Sequence, residues 1–525
     1  MGKEIGIDLG TTNTVVSYVN KKGKLRQLSY DNNKIIPSVI YFKSRSEYFI
    51  GDKARKFLAQ NPSAGVSNFK TKMGSSDKYD ITPEEGAPFS LRSREISKLF
   101  LNKIVNGLSE RLLKEFGSLD GTIEKAIITV PAKFSSTEKG ETRRAARDAG
   151  LDTVKLAPEP TAAAIAYEDA QGGGNPNSVI LVYDFGGGTF DVSIIRRNGN
   201  TFEEIATGGD KSLGGNILTK QLVEEILENL NDDYGINMTV DEEDFSEDDN
   251  NLSLKDYRLN MSEITFKANR IKERLSEEDE VSEYLDIRLP DNKSTLQKIT
   301  FTRDDLEDFI RDYIRKTVEI TKNTIKDANA RGVENIDQIV LAGGSSNIPL
   351  VKESLEACLQ DHDIVFCDDV NTLISRGAAV MAYKDNITSK AITNVDMGIA
   401  AHEGMTFAKF LPIIPVDEPL PCTRKEIFRL SKNNQRQLKI EYYERDIKTH
   451  PRASRVSDDG IEQIDTLVIN DLPPGLRADD TAIEVEFTAQ KDGSLDIHVV
   501  LTDKNGAPIK DGTLSVAKKS ELENE

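Results

Sequence analysis

Two segments far apart in the chain share one pattern: an apolar run, an aspartate, a glycine-containing turn and a second apolar run. The first is EIGIDLGTTNTVVSYV at 4–19, and the second is VILVYDFGGGTFDVSII at 179–195. Short apolar runs broken by glycine read as β-hairpins. Behind the first come helix-like sequence around Ser93–Phe116 and the strand-like EKAIITV at 124–130, ended by Pro131. A helix over Thr137–Ala149, a strand at 154–156 and a helix over Thr161–Asp169 complete the set. Ser135-Ser136-Thr137 supplies a helix cap. Behind the second hairpin, IDQIVLAGGSSNIPLVKESLEACL at 336–359 reads as strand, Gly-Gly turn and helix. Pro349 sits near the start of that helix, where its missing N–H costs little. Such alternation, occurring twice, constrains the first 384 residues to a duplicated α/β domain with a cleft between its halves.

The segment 384–396, KDNITSKAITNVD, lacks periodicity and reads as a linker. After it the pattern changes to short strands: LKIEYY (438–443), TLVIN (466–470), AIEVEFTA (482–489) and LDIHVVL (495–501). Lys491–Ser494 and Lys504–Gly506 supply hairpin turns between them. The expected organisation is an α/β domain over 1–384, a linker over 385–396, an all-β sandwich over 397–517 and a polar tail over 518–525. The acidic run DEEDFSEDD at 241–249 reads as a solvated loop.

Charge and cysteine usage exclude several classes of function. With 88 Asp and Glu against 68 Lys and Arg, the formal net charge is −20. Phosphate backbones and anionic lipid repel such a chain, so neither nucleic acid nor membrane is an expected partner. Cys358, Cys367 and Cys422 form no CxxC pair, and His362, His402, His450 and His498 are widely scattered. No disulfide scaffold or zinc site follows, which fits a reducing compartment. MGKEIGIDLG carries no apolar signal run, and no stretch approaches the ~20 apolar residues of a membrane span. The expected location is cytoplasmic.

The hairpin turns carry the chemistry. In Asp8-Leu9-Gly10-Thr11-Thr12-Asn13, Gly10 lets backbone approach a ligand, and successive N–H groups of a tight turn form a nest for a polyphosphate. Asp8 repels phosphate unless it holds a hydrated cation such as Mg²⁺ bound to that phosphate. Asp184-Phe185-Gly186-Gly187-Gly188-Thr189-Phe190-Asp191 repeats this logic, and Gly343-Gly344-Ser345 ahead of a helix adds a third glycine turn. Neither GxGxxG nor GxxxxGK[ST] is present, which argues against the dinucleotide fold and the P-loop.

IGIDLGTTNTVV, NFKTKMG, AIITVPAKF, LAPEPTAAAIAY, VYDFGGGTFDVSII, GDKSLGG and VLAGGSSNIP occur in the order and spacing of the 70-kilodalton heat-shock chaperones. The chain resembles that family strongly over 3–385 and more weakly to about residue 507. The resemblance implies an actin-like, two-lobed ATPase domain followed by a β-sandwich that binds extended apolar peptide. Its cofactors would be ATP and ADP, Mg²⁺ and K⁺. Asp8 and Asp184 would hold hydrated Mg²⁺ and, with Asp191, K⁺. Thr11, Thr12 and Asn13 would meet the phosphates, and Lys70 the γ-phosphate and attacking water. Glu159 would order metal-bound water, and Thr189 would touch the γ-phosphate. Gly10, Gly186, Gly187, Gly188, Gly214, Gly215, Gly343, Gly344 and Ser345 would line the nucleotide path, with Lys272 and Ser276 beside the nucleoside. Pro131 and Lys139 fall where the family relays nucleotide state. Ile399, His402, Ser431, Leu438 and Ile440 match positions around the peptide. Implied partners are unfolded or specific client polypeptides, a J-domain cochaperone and a nucleotide exchange factor.

The sequence also departs from that family. Asn269, Glu273 and Asn347 replace the charged groups that would frame adenine, and both stacking guanidinium planes are missing. Stacked cations contribute about 0.5–2 kcal/mol each, so weaker or less base-selective nucleotide binding is expected. Lys139 stands where the family has arginine. In the linker only Ile392 and Val395 are large and apolar, from which weaker coupling between ATP and peptide release is expected. The stretch Phe407–Cys422 is longer than usual and rich in proline, and no sequence for the family's helical lid follows the sandwich. Two alternatives compete with a cycling chaperone. One is a non-cycling regulator or exchange factor that uses nucleotide structurally; the other is a small-molecule kinase or filament protein on the same actin-like fold.

Overall fold

A computed structural model of the chain describes residues 4–20, 22–116, 123–247, 252–291, 293–359, 364–365, 369–401, 408–448, 450–491 and 493–516. The expected tail at 518–525, His362, Cys367, His402, Asp248, Asp249 and Asp492 lie outside the described residues.

Each half of the α/β domain is built on a sheet of the same plan. In the first lobe the order is Val154–Pro158, Lys125–Val130, Glu4–Leu9, Asn13–Val19 and Leu25–Gln27, with Ile36–Pro37 also pairing to Asn13–Val19. In the second the order is Ile364–Val365, Gln338–Ala342, Val179–Phe185, Phe190–Asn198, Thr201–Asp210 and Thr388–Lys390. Both sheets put an antiparallel hairpin beside parallel strands, so the repeat read in the sequence is a structural duplication. The central strands are buried on both faces, which explains their unbroken apolar runs.

The helices Glu159–Ala170 and Leu373–Tyr383 lie between the two sheets. Ala162, Ala163, Ala164 and Ala166 are buried against Ile180, Val182, Val340 and Ala342. On the first-lobe side, Ala378 and Ala382 pack on Ile127 and Ala157. These helices are buried along most of their length, which explains their alanine-rich, largely apolar sequences. The helix Ser136–Asp148 starts at Ser135, whose side chain and Glu138 form a reciprocal cap. Pro349 occupies the first turn of Pro349–Cys358.

The C-terminal unit is two packed four-stranded antiparallel sheets. One runs Lys409–Ile414, Asp396–Ala401, Leu438–Arg445 and Ile461–Ile469; the other runs Cys422–Phe428, Thr481–Ala489, Leu495–Asp503 and Pro508–Ser515. Alternate residues of Thr481–Ala489 face the core, as expected for a half-buried strand.

The linker reading needs refinement. Thr388–Lys390 pairs in parallel with Thr201–Glu203 and becomes the edge strand of the second lobe. Asp396 opens the first sandwich strand. Val395 packs on the sandwich core, and Ile392 bridges to Pro419. Backbone pairing and a few apolar side chains together seat this segment. The carboxylates of Asp241, Glu242, Glu243 and Asp244 are exposed, while Phe245 stacks 4.0 Å from Tyr257.

Candidate functional site

The two hairpin turns face each other across the cleft. A Cβ added to Gly187 would lie 2.1 Å from Thr12 Oγ1, and one on Gly188 would lie 2.6 Å from Thr11 Oγ1. Glycine fits here because the Thr11 and Thr12 side chains of the first turn pack directly on the backbone of the second. The second turn is tied down from behind. Gly215 and Asn216 donate backbone N–H groups to the carbonyls of Gly186 (2.9 Å) and Gly187 (2.7 Å). Ser345 Oγ donates to Gly186 O at 3.0 Å. Lys272 Nζ donates to Gly215 O and Thr219 Oγ1, both at 2.7 Å. Burial pulls the Lys272 ammonium down to about 8. Gly214 packs on Gly188, and Gly343 on Asp184. The structure thus brings Gly10 to Asn13, Gly186 to Gly188, Gly214, Gly215, Lys272 and Gly343 to Ser345 into one region.

Carboxylates collect under the turns. Asp184, Asp191 and Glu159 are buried, and Asp8 opens onto the cleft. Asp184 and Asp191 are cross-strand partners in the second hairpin. Lys70, on the short helix Phe69–Lys72, is 3% exposed and donates to Glu159 Oε1 at 2.9 Å. Burial, followed by the charge of Glu159, pushes Asp8 up to about 7, against the lowering pull of Lys70 and Thr129. The same two causes raise Asp191 to about 7, opposed by the Lys133 N–H and the Thr189 hydroxyl. Asp184 is raised well above the usual carboxylate range, by burial and then by Glu159, Asp191 and Asp8. So much enclosed acid beside so little positive charge is poised for a cation.

Thr12 Oγ1 and Asp184 Oδ2 are two of the eight buried side-chain polar atoms without a hydrogen-bond partner among the described residues. One comes from each turn, as expected where a polar ligand bridges them. Among the described residues, no group of three or more His, Cys, Asp or Glu could hold a metal ion directly. The buried carboxylates beneath the glycine turns fit a hydrated cation together with an anion on those turns.

A cavity of about 1120 Å³ opens beside Thr12 and Asn13 and continues past Asn216, Thr219, Asn269 and Glu273. Asn269 donates to Glu273 at 2.8 Å, and exposed Asn347 turns back onto Gly344 O at 3.1 Å. Ser276 caps the helix Leu254–Leu275.

The chain matches the pattern of the family described as Hsp70 protein over residues 4–525. It belongs to the Hsp70 family. Curated relatives include the chaperone protein DnaK of Thermotoga petrophila, of Thermotoga maritima and of Thermotoga neapolitana. Each is 29% identical over 452 residues, covering 84% of this chain and 70% of the relative. Membership supports a chaperone function and the actin-like lobes plus sandwich. No described helix is long and apolar enough to cross a membrane.

In this Hsp70 the other candidate residues sit apart from the cleft. Pro131 and Lys139 are buried where the first lobe meets the sandwich. Burial lowers the Lys139 ammonium, opposed by Glu204 and Glu444. Ile399, Leu438 and Ile440 belong to the sandwich core. Exposed Ser431 donates to Gln435 at 3.0 Å. Sequence reasoning missed a contact set between domains: Ser136 and Tyr442 both donate to Glu444, and Asn394 reaches the turn after Pro131. Polar residues without periodicity gave no signal for it.

Proposed function

We propose that this Hsp70 is an ATP-hydrolysing chaperone that binds extended apolar segments of client polypeptides and cycles with nucleotide. The observation that carries the nucleotide half is the pair of glycine turns closing over enclosed carboxylates, with an orphaned polar atom on each side.

Asp8 and Asp184 would hold Mg²⁺ through its water shell, with K⁺ beside Asp191. When bound, the cations neutralise phosphate charge. The chain's own residues do the rest. The backbone of Gly10 to Asn13 and Gly186 to Thr189 cradles the phosphates. Lys70 places positive charge at the terminal phosphate, and Glu159 orients both Lys70 and the attacking water. The domain limits 1–384 and 397–517 follow from this division of labour. Seating of Thr388–Lys390 on the second lobe corresponds to the docked form that the resemblance assigns to the ATP state. Ile399, Leu438 and Ile440 are buried within the sandwich's own core, so client binding requires the sandwich to rearrange. A J-domain cochaperone and an exchange factor are the partners this cycle calls for.

A non-cycling regulator is the second reading, favoured by Asn269, Glu273 and Asn347 bonding among local groups rather than framing a base. Steady-state phosphate release with Mg²⁺ and K⁺ separates the two. The cycling reading expects turnover that rises with J-domain and an apolar peptide and is lost in Lys70→Ala. Turnover no higher than that of the variant would leave the regulator.

A further inference from the structure

The connection between the sandwich strands Leu438–Arg445 and Ile461–Ile469 is longer than the two strands require. They pair antiparallel side by side, and about two to five residues join such neighbours in a hairpin. Here the link occupies 446–460. It passes Asp396–Ala401 and reaches the far strand of the same sheet, Lys409–Ile414. Phe410 N–H donates to Ser454 O at 2.9 Å, and Val456 N–H donates to Ala408 O at 3.2 Å. Lys409 and Arg455 face each other between these bonds as an antiparallel pair. Ala453–Val456 is thus one further strand on the outer edge of the sheet. Among the described residues no other strand pairs there.

The added strand is held mainly by its own loop. Asp458 Oδ2 accepts the N–H groups of Ser454 and Arg455, both at 2.8 Å. Arg445, paired with Asp396 and 4.9 Å from the centre of the Phe410 ring, donates to Ala453 O at 2.9 Å. Few side chains are committed to the edge itself. Ala453 is buried and Val456 half-buried, while Ser454 and Arg455 are exposed. A sheet edge pairs with extended chain through main-chain hydrogen bonds, whatever the side chains. Two such bonds and small apolar groups make an occupant that another strand can replace.

We propose that the outer edge of Lys409–Ile414 is a strand-acceptor site for extended polypeptide, with Ala453–Val456 as its built-in occupant. A client displaces this segment, takes over its two hydrogen bonds and adds a strand to the sheet. The occupant shows what fits: a short extended stretch with small or β-branched apolar side chains in the places of Ala453 and Val456. This rests on the client-binding reading above, and makes release of the loop the rearrangement which that reading requires.

The test compares the full chain with Val456→Pro, Asp458→Ala and the double variant Lys409→Cys/Arg455→Cys. Val456→Pro removes the donor to Ala408 O, and Asp458→Ala removes the acceptor that fixes the segment. Lys409 and Arg455 form a non-hydrogen-bonded pair, whose Cα atoms lie about 4.5 Å apart in an antiparallel ladder, within disulfide range. Oxidation of the double variant, confirmed by peptide mapping, locks the segment in place, and reduction of the same protein frees it. The probe is a fluorescein-labelled heptapeptide of alternating Val and Ser, read by anisotropy. Its fully N-methylated counterpart, which donates no backbone hydrogen bond, is the control. The wild type should bind the plain peptide at least about tenfold more tightly than the control. Affinity should rise about fivefold in Val456→Pro and in Asp458→Ala, as the binding-competent fraction grows, and fall about tenfold or more when the double variant is oxidised. Bound peptide should speed amide exchange at Val456 while Phe410 stays protected. Equal affinity of the oxidised and reduced double variant, or equal binding of the two peptides, would overturn the strand-acceptor site and leave client binding standing. Binding of neither peptide by any form would remove the client-binding reading, and this site with it.

Discussion

Lys70→Met tests the charge balance of the cleft. Lys70 Nζ sits 2.9 Å from Glu159 Oε1, with side chains 3% and 9% exposed. Removing the ammonium leaves Glu159 beside Asp8, Asp184 and Asp191, the groups whose proton affinity burial, and then the charge of Glu159, already raises. Breaking a buried pair by deleting one partner costs about 3–5 kcal/mol. Proton uptake by the carboxylates relieves part of this, so about 3 kcal/mol of lost stability is expected without metal. On the reaction, losing one preorganised positive group opposite a transferring phosphoryl costs about 10²–10³ in rate. The assays are single-turnover phosphate release with Mg²⁺ and denaturant melts of the metal-free chain. A variant hydrolysing within about threefold of wild type would refute the placement of Lys70 at the reacting phosphate. A melt unchanged from wild type would refute the buried pair as a source of stability.

Three further outcomes follow. Gly187→Ala should abolish nucleotide binding while leaving the sandwich folded, because its Cβ would lie 2.1 Å from Thr12 Oγ1; calorimetry and near-ultraviolet dichroism check this. Lys272 releases its proton at about 8 when folded, against an ordinary 10.5. The unfolded chain then binds more protons, so this group makes stability rise with pH between about 8 and 10.5. Lys272→Met should flatten that rise in melts across the window. With no guanidinium stacked on the base, ATP and GTP should differ in affinity by less than about tenfold, since stacked cations contribute only 0.5–2 kcal/mol each where present. A competition titration measures it, and a hundredfold preference for ATP would refute it.

Much of the fold was legible because its signals are local. The hairpins around Gly10 and Gly187, the helix starts at Ser135 and Pro349, and the alternation in Thr481–Ala489 each follow from short-range rules. The glycine turns and their neighbouring aspartates were readable for the same reason: they occupy adjacent residues. Thr388–Lys390 was not, since a three-residue edge strand made mostly of polar side chains has no period. Lys409–Ile414 and Cys422–Phe428 were hidden too, the first by its proline and the second by exposure on both faces. The Lys70–Glu159 pair joins residues 89 positions apart, and the Asn394 contacts span 262 and 260. Nothing local marks such partners; only packing brings them together.

The central claim is most directly tested by thermal unfolding of the full chain with Mg²⁺ and K⁺, with and without ATP. At ATP about 100 times its dissociation constant, binding to the folded state alone adds about 2.7 kcal/mol, enough to raise the ATPase-domain transition by a few degrees. The account predicts that rise, and its loss when Mg²⁺ is chelated. A transition that no nucleoside triphosphate moves would contradict it.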